Sequence, residues 1–153
     1  MTFPKAPIKL VVGLGNPGPE YERTRHNAGF WLAEDVAHEI GGSFASERKF
    51  SGELARGVGA MSEVRVIKPQ TFMNLSGNSV AAVAKFYDIA PEAILVAHDE
   101  LDLAAGEIKL KFGGGQAPAR GAIWLTYFPN IMVEWYPHVL VVSTLYAKGP
   151  RKT

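Results

Sequence analysis

The stretch that decides the fold runs Gly13-Leu-Gly-Asn-Pro-Gly-Pro-Glu-Tyr-Glu-Arg-Thr-Arg-His-Asn-Ala-Gly29. Before it, the apolar and largely β-branched run at 8–12 reads as a buried strand. After it, Phe30, Val36, Ala37 and Ile40 share one face of a helix predicted over 27–40, which Gly41-Gly42 stop. Residues 13–25 hold two prolines and three glycines and therefore form a loop. In an open α/β sheet such a strand-to-helix loop lies at the carboxyl end of its strand, where ligands bind. This loop brings Asn16, Tyr21, His26 and Asn27 to that place. An imidazole titrates near neutral pH and can take a proton from water, so His26 is the first candidate general base. A purely structural histidine is the alternative.

Working outward, a strand pair is expected over 50–58 and 64–67, with the turn at 59–63 and Pro69 ending the second strand. Val80, Val83, Ala84 and Tyr87 have helical spacing over 79–87, 94–96 is a short buried strand, and 107–112 alternates as a half-exposed strand does. Helices between strands define an α/β fold: a single domain with a mixed, twisted sheet flanked by helices. No internal repeat or low-complexity segment interrupts it.

Two more loops follow strands. His98-Asp99-Glu100-Leu101-Asp102 comes just after 94–96, so Asp99 can lie at the sheet edge that carries His26. A carboxylate there would hold the imidazole tautomer and stabilise the imidazolium. A solvated acidic loop, or a metal held by Asp99 and Asp102, is the alternative; no second histidine stands at ligand spacing, so no metal is expected. The other loop is Lys68-Pro-Gln-Thr-Phe-Met-Asn-Leu-Ser-Gly77. Phe72 and Met73 offer an apolar platform for a base or ribose. The Asn74 amide both donates and accepts, and so can hold a water or a substrate carbonyl. Asn74 or Ser76 capping the next helix is the competing reading.

The run Gly13-x-Gly15-x-x-Gly18 also matches the dinucleotide fingerprint. A nucleotide site needs the helix to open inside the glycine run. Here Pro17 and Pro19 interrupt it and the helix waits until about Asn27. The acid expected after a second strand is missing as well. A nucleotide-binding module therefore stands only as a distant alternative.

Composition limits the rest. The 153 residues are 47% hydrophobic and 20% charged, as in ordinary globular domains. The net charge of +1 gives no global attraction to nucleic acid, so an RNA-binding surface must be a local patch. Arg23, Arg25, Lys68, Lys109 and Lys111 could supply a phosphate-contacting rim, with plain solvated surface as the alternative. The absence of cysteine excludes disulfides, thiolate metal sites and a cysteine nucleophile, and fits a reducing cytoplasm. No apolar run reaches the roughly 18 residues of a membrane span, and no signal pattern opens the chain.

Taken together and in order, the three loop segments resemble the bacterial-type peptidyl-tRNA hydrolase family. Gly-Leu-Gly-Asn-Pro-Gly with Tyr21 and Thr-Arg-His-Asn-x-Gly matches its first signature, and Lys-Pro-x-Thr-Phe-Met-Asn-x-Ser-Gly its second. His-Asp-Glu-Leu-Asp-Leu, followed by Gly106 and a strand ending in Gly113-Gly114-Gly115, matches its third. The resemblance covers about 8–115. It implies hydrolysis of the ester that joins a peptide to the terminal ribose of tRNA, with no cofactor and no metal, by a cytoplasmic monomer. It implies His26 as the base that activates water, with Asp99 keeping it basic and oriented. Asn16 would contact the peptide and favour peptidyl over aminoacyl substrates. Asn74 would position water or ester, and Tyr21 and Phe72 would line the site for the tRNA terminus.

After Gly115 the likeness stops. The family continues Gly-Gly-His-Asn-Gly-Leu, a helix, a strand and a helical lid. This chain reads Gln-Ala-Pro-Ala-Arg-Gly-Ala-Ile-Trp, so Arg120 stands about where a tRNA-contacting asparagine is expected and cannot accept a hydrogen bond. The expected organisation is thus a hydrolase-like domain at 1–115, incomplete at its C-terminus, and a divergent tail at 116–153. The order Ala122 to Thr126 is what codons for Arg-Asp-Met-Ala-His yield one nucleotide out of step, so a shifted frame is one reading of the tail; genuine divergence is the other. A sheet short of a strand would expose apolar surface and weaken the fold. A catalytically impaired enzyme or an RNA-binding remnant is then the alternative function.

Overall fold

In a computed structural model of the chain, the described residues are 7–24 and 27–99, together with four strands beyond them. The first part builds a five-stranded sheet in the order β2-β3-β4-β1-β5. These strands are β1 (Leu10–Gly13), β2 (Ala45–Glu47), β3 (Gly52–Arg56), β4 (Arg65–Pro69) and β5 (Ile94–Ala97). Two helices, α1 (Ala28–Glu39) and α2 (Ser76–Phe86), complete it. β1 is central, parallel to β4 on one side (Val11↔Val66) and to β5 on the other (Val11↔Leu95). β3 runs antiparallel to β4 and β2 antiparallel to β3, so the sheet is mixed, as expected.

Alternation along the strands feeds a separate core on each face. Val11, Ala55 and Val66 pack with Ala33 and Ala37 of α1 and with Ile40, the residue just after it. Leu10, Val12, Leu54 and Ile67 pack with Phe50, Val83, Ile89 and Ile94 on the α2 side. Each crossover helix thus covers one face, which is why the central strand β1 is buried along its whole length and reads as a continuous apolar run. The chain goes from β1 over α1 to β4, then back over α2 to β5 on the far side of β1. The connection therefore changes direction around β1, and the carboxyl ends of β4, β1 and β5 lie side by side at this switch.

The helix sits very close to the sheet at the end of β1. A Cβ added at Gly29 would strike the carbonyl oxygens of Ala97 and Leu14, and one at Gly13 would strike the Gly29 carbonyl and lie 2.6 Å from Ala33 Cβ. The Leu14 amide, meanwhile, donates to Ala97 O at 2.8 Å. Backbone therefore packs on backbone where β1, β5 and α1 meet.

Local boundaries differ from the expected ones in a few places. The strand expected from Phe50 starts at Gly52, because Arg48–Phe50 is a 3-10 turn and Ser51 takes a left-handed conformation, φ 48°. α2 begins at Ser76, three residues early, with a 3-10 turn at Met73–Leu75 leading into it. The short edge strand β2 carries too few residues for a readable alternation. Beyond residue 99, Val139–Thr144 lies parallel to β5 with Leu95↔Leu140 in register. Lys109–Phe112, Ile123–Trp124 and Ile131–Tyr136 are the remaining strands. The expected boundary at 115 and the Gly113–Gly115 run, Arg120, and residues 122, 125 and 126 of the shifted-frame reading lie outside the described residues. Among the described residues no helix is long and apolar enough to cross a membrane.

Two glycine substitutions should change stability in opposite directions. Gly29→Ala overpacks a backbone contact and should cost at least about 1–3 kcal/mol. Gly77, in α2, has nothing within 4 Å of an added Cβ, and Gly77→Ala should gain roughly 0.5 kcal/mol from helix propensity. Urea unfolding followed by circular dichroism reads both; equal effects would contradict the packing described.

Candidate active site

The loops after β1, β4 and β5 form the candidate site at the shared carboxyl edge. Gly13 pairs with Ala97, and Val12 with Ile67, so Asn16, Asp99 and the 72–74 segment all leave the sheet within a few residues of one level. Strand order alone brings together segments that are far apart in the chain.

Asn27 and Asn16 are locked to each other. Asn27 is 3% exposed and stands at the N-cap of α1, yet no side-chain cap is made there. A capping asparagine ordinarily accepts from the first helical turn. Here its Oδ1 accepts from the Asn16 amide at 2.8 Å, and its Nδ2 donates to the Asn16 carbonyl at 2.9 Å. The pairing leaves neither polar group of Asn16's backbone wanting. It also fixes which end of the Asn27 amide is oxygen, because only Oδ1 can accept. Gly15 is required beside it, since a Cβ there would approach Asn27 Oδ1 to 2.7 Å and the Phe30 ring to 3.0 Å. Gly18 has φ +118°, which suits glycine. All three glycines of the fingerprint thus have packing or turn duties, which is how a glycine run arises without a nucleotide.

From Asn16 the chain of bonds continues. Its side-chain Oδ1 accepts from the Met73 amide at 3.1 Å, across 57 residues. That bond sets the Asn16 amide too, with Nδ2 as its donor end. It also engages the Asn16 and Met73 amides internally, and Leu14's goes to Ala97, so these three glycine-loop and neighbouring amides do not form the oxyanion-binding group that such a loop could supply.

The remaining expected site residues fall as follows. Phe72 is 61% exposed and Leu75 also stands in solvent, an uncovered apolar surface at the mouth of the edge. Asn74 is exposed beside them, in the 3-10 turn. Neither Asn74 nor Ser76 caps α2: Leu75 is the N-cap and makes no side-chain bond, so the capping alternative is not realised. Tyr21 is half-buried, and its carbonyl accepts from the Thr24 amide and hydroxyl at 2.9 and 2.8 Å, closing a compact set of turns. Asp99 is half-buried, two residues beyond β5. The neighbouring His98 donates from Nδ1 to the Asp99 carbonyl at 2.6 Å, the only role that carbonyl allows the nitrogen. His26 and Arg25 lie outside the described residues, as does Asp102. Among the described residues no group of three or more His, Asp or Glu is placed to hold a metal ion.

Two features escaped the sequence reading. The first is Asn27 as the lock; the loop pattern marked it as a neighbour of His26 but gave no partner. The second is Lys68, expected at a phosphate-contacting rim. Lys68 is instead only 9% exposed, and its Nζ lies 2.8 Å from Glu34 Oε1 and 3.1 Å from Glu53 Oε2. The ammonium also sits 4.3 Å from the Phe44 ring centre. Burial opposes its charge, but the hydrogen bonds and negative charge of Glu34 and Glu53 outweigh burial and hold the ammonium above the ordinary lysine range. An engaged, buried cation is not available to phosphate. Beside it, Glu22, Arg23, Asn27, Phe30, Trp31 and Glu34 line a cleft of about 400 Å³.

Asn27→Ala strands the N–H and C=O of Asn16 and should lower stability by about 1–3 kcal/mol, whereas Asn27→Asp, which keeps the acceptor, should lose less; urea melts rank the two. The Lys68 linkage has a defined sign. A lysine held above its ordinary 10.5 contributes stability fully below that value and loses it as pH rises past the raised one. The unfolding free-energy gap between the wild type and Lys68→Met should therefore be flat at neutral pH and close above about pH 10.5. A gap that instead closes on acidification would show that the carboxylates, not the ammonium, control it.

The sequence and the fold both have known relatives. The family model described as peptidyl-tRNA hydrolase matches residues 10–123. A peptidyl-tRNA hydrolase of Bordetella parapertussis is 57% identical over 115 residues, 75% of this chain and 54% of that protein. One of Neisseria meningitidis is 57% identical over 114 residues, 74% and 59% of the two chains. The crystal structure of peptidyl-tRNA hydrolase from Acinetobacter baumannii superposes with a TM-score of 0.69 at 42% identity, over 95% of this chain and 72% of that one. The chain spans a little over half the length of the curated relatives it matches. With most of its length under one family model, and its sheet and loop order shared with a solved relative, this chain belongs to the peptidyl-tRNA hydrolase family.

Proposed function

We propose that this chain hydrolyses the ester of peptidyl-tRNA, releasing free tRNA and peptide, as a cytoplasmic monomer with residues 1–115 as its working domain. The observation that carries the reading is the Asn27–Asn16–Met73 bond chain, which joins two of the three signature loops at the switch of the sheet. It presents a donor-only amide, Asn16 Nδ2, beside the exposed Phe72 surface.

In this reading His26, the residue before the locked Asn27, takes a proton from water as the water oxygen bonds to the ester carbonyl carbon. The ester C–O bond then breaks, and the ribose oxygen leaves with the proton that the imidazolium returns. Asp99 orients the imidazole and balances its charge. Asn16 donates to a carbonyl of the peptide, a group that a free aminoacyl ester lacks, and so selects peptidyl substrates. Asn74 positions the water or the ester, and Tyr21 and Phe72 receive the tRNA terminus. The step draws on no cofactor. The competing reading is an RNA-binding remnant with impaired catalysis.

Release of free tRNA from an N-blocked aminoacyl-tRNA separates the two. The wild type should turn over, His26→Ala should lose about 10²–10⁴-fold, and Asp99→Asn should lose less, while all three keep the same affinity for tRNA. Binding without turnover in the wild type would establish the remnant.

A further inference from the structure

We infer that Lys68 is a positioning residue for the proposed hydrolysis, holding α1 and the 72–74 loop at a fixed separation through its ion pair with Glu34. The inference rests on the hydrolase reading above, although its first readout does not.

Along β4, alternation sends Val66 into the α1-side core and Ile67 into the α2-side core. Lys68 follows on the α1 side, directly opposite Glu53 in the β3–β4 register. An aliphatic side chain would satisfy that core position. The strand instead places an ammonium there, with Glu34 of α1 on one side and Glu53 of β3 on the other. A buried ion pair stabilises no better than apolar packing of equal volume, but it is directional: it fixes the distance between the two elements that supply it.

Its place in the fold gives that distance a use. Glu34 is seven residues beyond Asn27 on α1, about 10 Å along the helix axis. Lys68 is five residues before Met73. The Asn27–Asn16–Met73 bonds join α1 to the β4 loop at one end, and the Glu34–Lys68 pair joins the same two segments at the other. With the backbones of α1 and β4, the two ties close a ring that runs Asn27–Asn16–Met73–Lys68–Glu34. Phe30 carries both duties, lying against Gly15 and within 5.8 Å of the Lys68 ammonium. Gly29, Ala33 and Ala37 keep α1 packed on the sheet, so releasing the Lys68 tie loosens the end of β4 and the loop that carries Met73 rather than the helix. The Asn16 amide, whose orientation the Met73 bond sets, would then lose its fixed direction, a kind of misplacement that slows chemistry more than it weakens binding.

Lys68→Met keeps volume and burial but removes the charge, and Lys68→Arg keeps the charge. Because Glu34 is about half exposed, its carboxylate can be hydrated in Lys68→Met, and a cooperative melt is expected. Hydrogen exchange on the full chain is the first readout: the Met73 amide should exchange about 10-fold faster in Lys68→Met, while the β1 amides of Val11 and Val12 stay near wild type. Turnover of N-blocked aminoacyl-tRNA is the second: kcat should fall about 10-fold with KM within about twofold, and Lys68→Arg should restore most of both effects. If Lys68→Met does not fold, Glu34→Gln, with its half-exposed side chain, takes its place with the same expected direction. Unchanged Met73 exchange, or equal acceleration at Met73, Val11 and Val12, would overturn the inference and leave Lys68 as packing alone. A wild type without turnover would defeat the hydrolase reading, while the exchange result would still decide whether Lys68 holds the ring.

Discussion

The contact on which the site depends is backbone against backbone, where Gly29 of α1 meets the ends of β1 and β5. Side chains normally keep a helix about 10 Å from a sheet, and no Cβ fits at this point. With Gly13, Gly29 and Ala33 all small, the start of α1 drops onto the carboxyl edge itself. That places Asn27, the residue before the helix, within hydrogen-bond reach of Asn16 in the loop after β1. A helix at ordinary distance would hold Asn27 too far out to bond both backbone groups of Asn16.

Polar groups then finish what the close approach begins. The Asn27–Asn16–Met73 chain satisfies backbone groups that the loop would otherwise leave unpaired, and in doing so fixes the rotameric sense of two amides. Preorganised donors need no rearrangement when charge or a carbonyl arrives, which is the general advantage of a site built on rigid elements. The Lys68 cluster works in the same sense one layer deeper, where a salt bridge replaces apolar packing between β4, β3 and α1.

The apolar patterns were legible for a physical reason: each buried strand and helix face must be apolar somewhere, and the period of that requirement is local. Thus 8–12, 64–67 and 94–96 could be read as strands and 27–40 as a helix, all within about a residue or two of β1, β4, β5 and α1. The start of β3 was misplaced because Phe50 belongs to the core without belonging to a strand: a 3-10 turn and a left-handed Ser51 deliver its ring to the α2 side. The early start of α2 was hidden for a similar reason, since Ser76 and Gly77 lack the apolar spacing that marks the rest of the helix.

By itself the sequence determined which segments become loops at strand ends, because prolines, glycines and apolar periods act over a few neighbouring residues. It also determined the family, through three motifs that lie in order. Tertiary structure alone decided that Asn27 would bond Asn16 rather than cap its own helix, that Asn16 would reach Met73, and that Lys68 would be buried between two carboxylates instead of facing solvent. Those outcomes depend on strand order and on how closely α1 lies against β1. Both are settled by packing between residues dozens of positions apart, and no local pattern encodes a partner at that distance.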